Sequence, residues 1–416
     1  MIPDTSTRLR YYSLYLVAFA NGAGLITITT LLPTYIDLLE PSGIAIGLFI
    51  SGLTGAQAIA VIPLGWAGDR FDKRTILLAT LLACIGAYAL FPFVETSTGF
   101  IAVRFLQGLS VVGVSLLSLA LIGELSSGDE RANMIGKFNS WKLAAGTLGT
   151  LGAGALYDIY GFTVIFLILV TLFFAATLGT WRYIEPDGSN VSFAFDKLAV
   201  NRRILTMTSF RAQYALAVTF MRNWVPIFVG VSAAQGGLGF AAIIVGIVIA
   251  TERFTNMLFQ PFTGRLSDVY GRSIFIVIGG ASYGLIAILV PFAPIIGSSL
   301  GLSGTYPIVG SVSASLIVVI ALNALLGVAD AFREPASMAL FADEGVEQGG
   351  VASSFGIRSL VWRPGNVIAP MIGGIVMTQI GMSWVFFLAG FFALSGVIMF
   401  VGLLSYTQGR NALSTW

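Results

Sequence analysis

Apolar stretches long enough to cross a bilayer recur from one end of the chain to the other. A hydrocarbon layer about 30 Å thick needs about 20 helical residues. Twelve such runs are predicted, at residues 12–37, 43–66, 75–95, 98–123, 135–157, 162–184, 206–230, 241–263, 274–295, 312–338, 354–379 and 382–406. The expected fold is an all-α integral membrane protein. A membrane β-barrel would show short alternating segments instead. Composition agrees: 56% of the 416 residues are apolar and only 10% are charged, against roughly a quarter charged in a soluble domain. The 49 glycines fit helices that approach each other closely in lipid.

Orientation follows from basic residues near the span ends. Arg8 and Arg10 precede the first span; Arg70, Lys73 and Arg74 follow the second, and Arg131 the fourth. Lys197, Arg202 and Arg203 lie between the sixth and seventh, Arg265 and Arg272 after the eighth, and Arg410 after the twelfth. The loops after the odd-numbered spans contain no Lys or Arg. Both termini are therefore expected in the cytoplasm. The first span is too long for the apolar part of a cleaved signal sequence.

The chain also repeats. Gly65-Trp66-Ala67-Gly68-Asp69-Arg70 returns as Gly264-Arg265-Leu266-Ser267-Asp268-Val269, an offset of 199 that Gln57 and Asn256 share. Later, Gly136 and Gly356, and Gly161 and Gly381, lie 220 apart, because a Gly- and Ser-rich loop near 296–311 lengthens the second half. The expected organisation is a six-helix bundle over 1–184, a polar cytoplasmic linker over 185–205 and a second bundle over 206–416. The sequon Asn190-Val191-Ser192 falls in that linker and carries no weight. Two repeated halves of this kind are the architecture of a secondary transporter.

The segment Gly65–Arg74 resembles the loop signature between the second and third helices of the major facilitator superfamily: Gly, three residues, Asp, Arg, one residue, Gly, then two basic residues. Asp72 stands where that pattern has its second Gly; the repeat keeps it as Gly271 and loses the Arg after Asp268. Arg104-Phe105-Leu106-Gln107-Gly108 is similar to the family's Arg-x-x-Gln-Gly element. Its antiporter signature, Gly-Pro-x-x-Gly-Gly, meets only Gly149-Thr150-Leu151-Gly152-Ala153-Gly154 in the fifth span, whereas Ala369-Pro370-Met371-Ile372-Gly373-Gly374 matches it better in the eleventh. The resemblance implies two bundles that alternate access to a central cavity. It also implies a cytoplasmic latch, in which Asp69 meets the N-terminus of the eleventh helix and the loop's basic residues meet Glu124. Gly65, Asp69, Arg70, Arg74, Glu124, Asp268 and Arg272 are its candidates. Positive-inside anchoring suffices for Lys73.

Charges at bilayer depth are costly and mark function by default, with structural ion pairs as the competing reading. Glu252, Asn256 and Gln260 form one stripe. Asn323, Gly327, Asp330 and Glu334 form another, bordered by Arg333. Arg363 aligns with Ser359 and Asn366, with Arg358 near the helix start, and Arg211 and Arg222 share a face. Arg104 lines up with Gln107, and resembles the family's functional arginine. The proton-coupling candidates are Glu252, Asp330 and Glu334, each also readable as an ion-pair partner; for Glu334 a pair with Arg333 is favoured. The substrate-cavity candidates are Arg104, Gln107, Arg222, Asn256, Asn323, Arg333, Arg363 and Asn366. For Trp141, Trp224 and Trp362, packing or an interfacial belt is favoured over a place on the cavity wall.

Histidine is absent and Cys84 is the only cysteine, so no cofactor or metal site is expected, Cys84 reads as a packed residue, and an enzyme is disfavoured. A net charge of +2 gives no nucleic-acid signal. The expectation is a monomeric secondary transporter in the cell membrane, with lipids, protons and a small organic solute as partners. Export by proton antiport is favoured. Proton-coupled uptake of an organic anion, uniport and lipid transport are the alternatives.

Overall fold

The computed structural model describes residues 5–126, 131–186, 202–301, 304–306, 310–347 and 351–409. The elements are α1 (Thr5–Leu39), α2 (Gly43–Arg70), α3 (Lys73–Leu90), α4 (Ser97–Leu125), α5 (Arg131–Tyr183), α6 (Arg202–Gly230), α7 (Ala242–Tyr270), α8 (Arg272–Leu289), the short α9 (Ala293–Ser299), α10 (Ala314–Glu347), α11 (Val351–Gln379) and α12 (Met382–Gln408). Most of the linker expected over 185–205, with its sequon, lies outside the described residues, as does Arg410.

Among the described residues, ten helices are long and apolar enough to cross a membrane. The 53-residue α5 counts once among them, yet it would be roughly 80 Å long as a straight rod. It is not one rod. Gly161, at φ 69° and ψ −163°, breaks the helical path at the gap between the expected fifth and sixth spans. Its repeat partner Gly381, at φ 136°, separates α11 from α12. The expected seventh span is the helix α6, which carries Arg211 and Arg222 within its length and is not among the ten.

The chain divides into two compact units, Met1–Ala194 with Ala241–Gly246, and Phe195–Phe240 with Ile247–Trp416. In the first, α1 lies along α5, and α4 packs on α2 and α3. Tyr35, Phe91, Phe100 and Phe166 fill its interior, and Cys84 is fully buried. In the second, α6 packs on α11 and α12, and α8 on α10 and α12, with Trp224 and Tyr283 in the core.

The repeat extends to fine detail. Short 3₁₀ turns follow α3 at Phe91–Phe93 and α8 at Val290–Phe292, at the same offset as Gly65 and Gly264 and each with Pro at its second position. The turn before α3 departs from the turn before α8, as Asp72 predicts. Asp72 caps α3 by accepting from the Arg74 and Thr75 amides at 3.2 and 3.1 Å. Gly271 instead opens α8 at φ 96°, in the left-handed region. One element departs from the all-α expectation. The inserted loop holds α9 and a two-stranded antiparallel hairpin, Gly304–Tyr306 with Gly310–Val312. Its β-branched and aromatic residues (Thr305, Tyr306, Val312) suit a strand.

Candidate substrate and coupling site

The site lies within the second unit. On α6, Arg211 and Arg222 are eleven residues, or three helical turns, apart and so share a face. Arg222 reaches two helices at once. Its Nη2 donates to Glu252 Oε1 on α7 at 3.3 Å and to Asp330 Oδ2 on α10 at 3.2 Å. Asp330 is 3% exposed, and its other oxygen accepts from Arg333 Nε and Nη2 at 3.0 and 2.7 Å. Arg333, 1% exposed, also pairs with Glu334, and Glu334 pairs with Arg358 on α11 at 2.5 Å. An unbroken run of alternating charge results: Glu252, Arg222, Asp330, Arg333, Glu334, Arg358.

Neighbouring groups hold this run in place. The Arg333 guanidinium lies 4.4 Å over the Tyr214 ring, a contact that strengthens on desolvation. Gln260 donates to Asn256 Oδ1 at 2.7 Å. Asn256 donates to the Gly327 carbonyl at 3.3 Å and, more weakly, to Asp330 at 3.4 Å. Arg211 Nε donates to the Arg358 carbonyl at 2.7 Å, and its guanidinium sits 4.6 Å over Trp362. A cavity of about 400 Å³ opens among these groups. Arg211, Arg222, Asn256, Gln260, Asp330, Arg333, Glu334 and Trp362 line it. That volume suits a small organic molecule.

The structure gathers Glu252, Asp330, Glu334, Arg222, Arg333 and Asn256 into one network; all but Glu252 line the cavity. Glu252 reaches the network through Arg222. Other candidates lie elsewhere. Arg104 is fully buried in the first unit, where Nε donates to the Phe49 carbonyl at 2.9 Å and Nη1 to Gln107 at 2.8 Å; Gln107 in turn donates to the Tyr88 hydroxyl at 2.8 Å. These contacts cross-link α2, α3 and α4. Asn323 donates to the Val248 carbonyl. Asn366 accepts from Thr219 at 2.8 Å. Arg363 is half-buried and off the cavity wall. Among the tryptophans, Trp224 packs in the core, and Trp141 stacks on Tyr15 and meets Phe19 edge-on. Trp362 departs from the packing expectation and lines the cavity. Arg211 and Gln260, which the sequence put on polar faces, and Arg358, which it put near a helix start, are network or wall residues that were given no role; the shared face of Arg211 and Arg222 was the signal for the first.

The latch residues divide. The Asp69 side chain and the segment before α11 at Gly349-Gly350 lie outside the described residues. A Cβ added at Gly65 would make only an ordinary contact with Leu116. Glu124 does have a basic partner, and it is Lys73, at 2.9 Å, with Lys73 only 4% exposed. Lys73 is therefore not a solvated anchor. Arg74 Nη2 instead donates to the Trp181 carbonyl at 2.5 Å, and Arg70 lies 4.9 Å over Trp66. In the second unit Arg272 pairs with Asp268 at 3.0 Å and with Asp343.

These features define a class. The chain matches the Major Facilitator Superfamily over residues 14–313 and again over 214–414, and it belongs to that family. It is a multi-pass transporter of the cell membrane. The multidrug resistance protein MdtG of Salmonella choleraesuis (strain SC-B67) is 24% identical over 410 residues, covering 95% of this chain and 94% of that protein. An uncharacterized MFS-type transporter of Methanocaldococcus jannaschii is 23% identical over 279 residues, covering 64% of this chain and 70% of the relative. Among solved structures, the nucleoside transporter NupG aligns at TM-score 0.71 with 15% identity, covering 95% of this chain and 99% of that one. The POT family transporter PepTSo aligns at 0.70 with 15% identity, covering 98% and 99%. These structures share the fold.

Proposed function

We propose that this transporter exports a small organic solute in exchange for protons, by alternating access between two six-helix halves joined by the 185–205 linker. In this reading the two arms of α5 each cross the membrane, and so does α6 despite its arginines. Twelve crossings follow, with both termini in the cytoplasm, and the monomer suffices.

The observation that carries the reading is Arg222 between Glu252 and Asp330. A carboxylate held by an arginine stays ionised; one that loses it inside a membrane favours the protonated form. Movement of α6 against α7 or α10 would change how many cations face each acid, and so exchange Arg222 for a proton. Full-length similarity to a protein named for multidrug resistance supports export. The excess of arginine over acid on the cavity wall supports the second reading, uptake of an organic anion with protons.

The test uses proteoliposomes with an imposed pH gradient and two labelled probes, benzenesulfonate and benzyltrimethylammonium. Flux of a carried probe follows the gradient in the native protein. It falls at least about tenfold in Asp330→Asn or Glu252→Gln, about 1.4 kcal/mol of lost driving interaction, while counterflow without a gradient persists. Gradient-driven flux that survives in both variants removes these acids from coupling; its direction separates export from uptake.

A further inference from the structure

Arg211 stands apart from the other arginines of the cluster. Arg222, Arg333 and Arg358 each bind a carboxylate. Arg211 has no acid in hydrogen-bond contact among the described residues: its Nε goes to a backbone carbonyl, and its Nη1 is buried with no hydrogen-bond partner. The side chain is 6% exposed, yet it forms part of the cavity wall. A guanidinium has five donors in a fixed fork that matches a carboxylate, sulfonate or phosphonate. Leaving one unsatisfied in a buried site costs more than leaving a neutral donor so. The Trp362 ring lies 4.6 Å from the guanidinium carbon and presents an apolar surface beside it.

Charge counting points the same way. The connected cluster holds Arg211, Arg222, Arg333 and Arg358 against Glu252, Asp330 and Glu334, an excess of one positive charge. Arg253, next to Glu252 on α7 and half-buried, only adds to it. We infer that Arg211 is the anchor for the anionic head of the solute, and that the cavity takes a small organic anion whose apolar part lies against Trp362. The inference names the substrate class of the proposed transport site and rests on that site being the one that carries solute. It does not depend on protons driving the cycle.

Binding without a gradient therefore tests it. Thermal unfolding of the purified protein in a neutral detergent is measured with benzenesulfonate, phenylphosphonate and benzoate, with neutral benzamide, with benzyltrimethylammonium, and with inorganic phosphate. At least one organic anion raises the melting temperature of the native protein, and benzamide and the cation do not. The apparent affinity for that anion falls about tenfold or more in Arg211→Gln and partly returns in Arg211→Lys, which keeps the charge and loses the fork. Trp362→Ala weakens organic anions and leaves any binding of phosphate unchanged. Because Arg211→Gln can fail to fold, Arg211→Lys and Trp362→Ala carry the test independently. Stabilisation by the cation alone, by no anion, or by an anion equally in native and Arg211→Gln protein overturns the inference. A bound anion with no gradient-driven flux refutes proton coupling and leaves the anion site intact. Gradient-driven flux of a cation with unchanged rate in Arg211→Gln does the reverse.

Discussion

The two units solve one packing problem in the same way and then diverge. In the first, α4 crosses α2 where a Cβ added at Gly108 would strike the Leu53 carbonyl and the Ala56 side chain. In the second, α10 crosses α7 where a Cβ added at Gly327 would strike the Glu252 carbonyl and Thr255. These are matching positions. Leu53 and Glu252, like Ala56 and Thr255, share the offset of Gly65 and Gly264. Gly108 and Gly327 stand at the longer offset found beyond the inserted loop, within one position of that between Gly136 and Gly356. One turn away, Arg104 donates to the carbonyl of Phe49. Its counterpart at that longer offset, Asn323, donates to the carbonyl of Val248. The resemblance made Arg104 a functional residue; its internal counterpart shows it also closing a helix crossing that both units close. Where the first unit then places Val111, Val114 and Ser115 on α4, the second places Asp330, Arg333 and Glu334 on α10. The common scaffold is built from glycine contact and one side-chain-to-carbonyl bond. The ionic network is an addition to one copy, which is what a site would be and what packing alone does not require.

The largest effect should come from breaking that addition. Removing one partner of a buried ion pair strands the other and costs about 3–5 kcal/mol. Arg333→Met should therefore sharply lower the melting temperature or the yield of folded protein. Copying the first unit, with Asp330→Val and Arg333→Val together, removes one charge of each sign. Replacing a buried pair by apolar side chains is often neutral or stabilising, so the double variant should regain much of that loss while transport driven by a pH gradient disappears. A double variant as unstable as Arg333→Met would mean that the second unit needs its charges to fold.

A smaller effect sharpens the shared part. Gly108→Ala and Gly327→Ala each insert a methyl group into a closed crossing, and overpacking of this kind costs about 1–3 kcal/mol. Thermal melting of the two variants should show losses of similar size. A large loss in one and none in the other would show that the two crossings are not equivalent.

How much of this could be read from the chain follows from which interactions are local. Span positions were legible because a long apolar run leaves few options: α2, α4 and α11 fall within a few residues of expectation, while α7 starts one residue from it and runs seven residues further, to Tyr270. Gly161 and Gly381 were legible as a repeated pair, and both prove to be helix breaks. The stripe from Glu252 to Gln260 and the stripe through Asp330 were legible because helical spacing puts them on faces. Which face met which was not. The pairing of Arg222 with acids on two other helices, and the lack of a described acid in hydrogen-bond contact with Arg211, depend on tertiary placement that no spacing within one helix encodes. Lys73 and Arg74 are adjacent in sequence, and only the direction of each side chain decides that Lys73 takes Glu124 while Arg74 turns to the Trp181 carbonyl.

That pair supplies the mildest prediction. Lys73 with Glu124 and Arg272 with Asp343 are repeat counterparts: the bases share the offset of Gly65 and Gly264, and the acids that of Gly108 and Gly327. Their surroundings differ. The Lys73 side chain is buried, while Arg272 is 24% exposed and both of its acids are more than half exposed. A hydrogen bond to a buried charge contributes about 1.5–3 kcal/mol, whereas exposed ion pairs contribute about 0–1 kcal/mol and are screened over about 10 Å at about 0.1 M salt. Lys73→Gln should therefore lower the melting temperature measurably at every salt concentration, by an amount near the lower end of that range, since Glu124 is itself partly solvated. Arg272→Gln should lower it little at low salt and not at all at high salt. Equal, salt-independent losses in the two variants would mean that the loop of the second unit is as closed as that of the first.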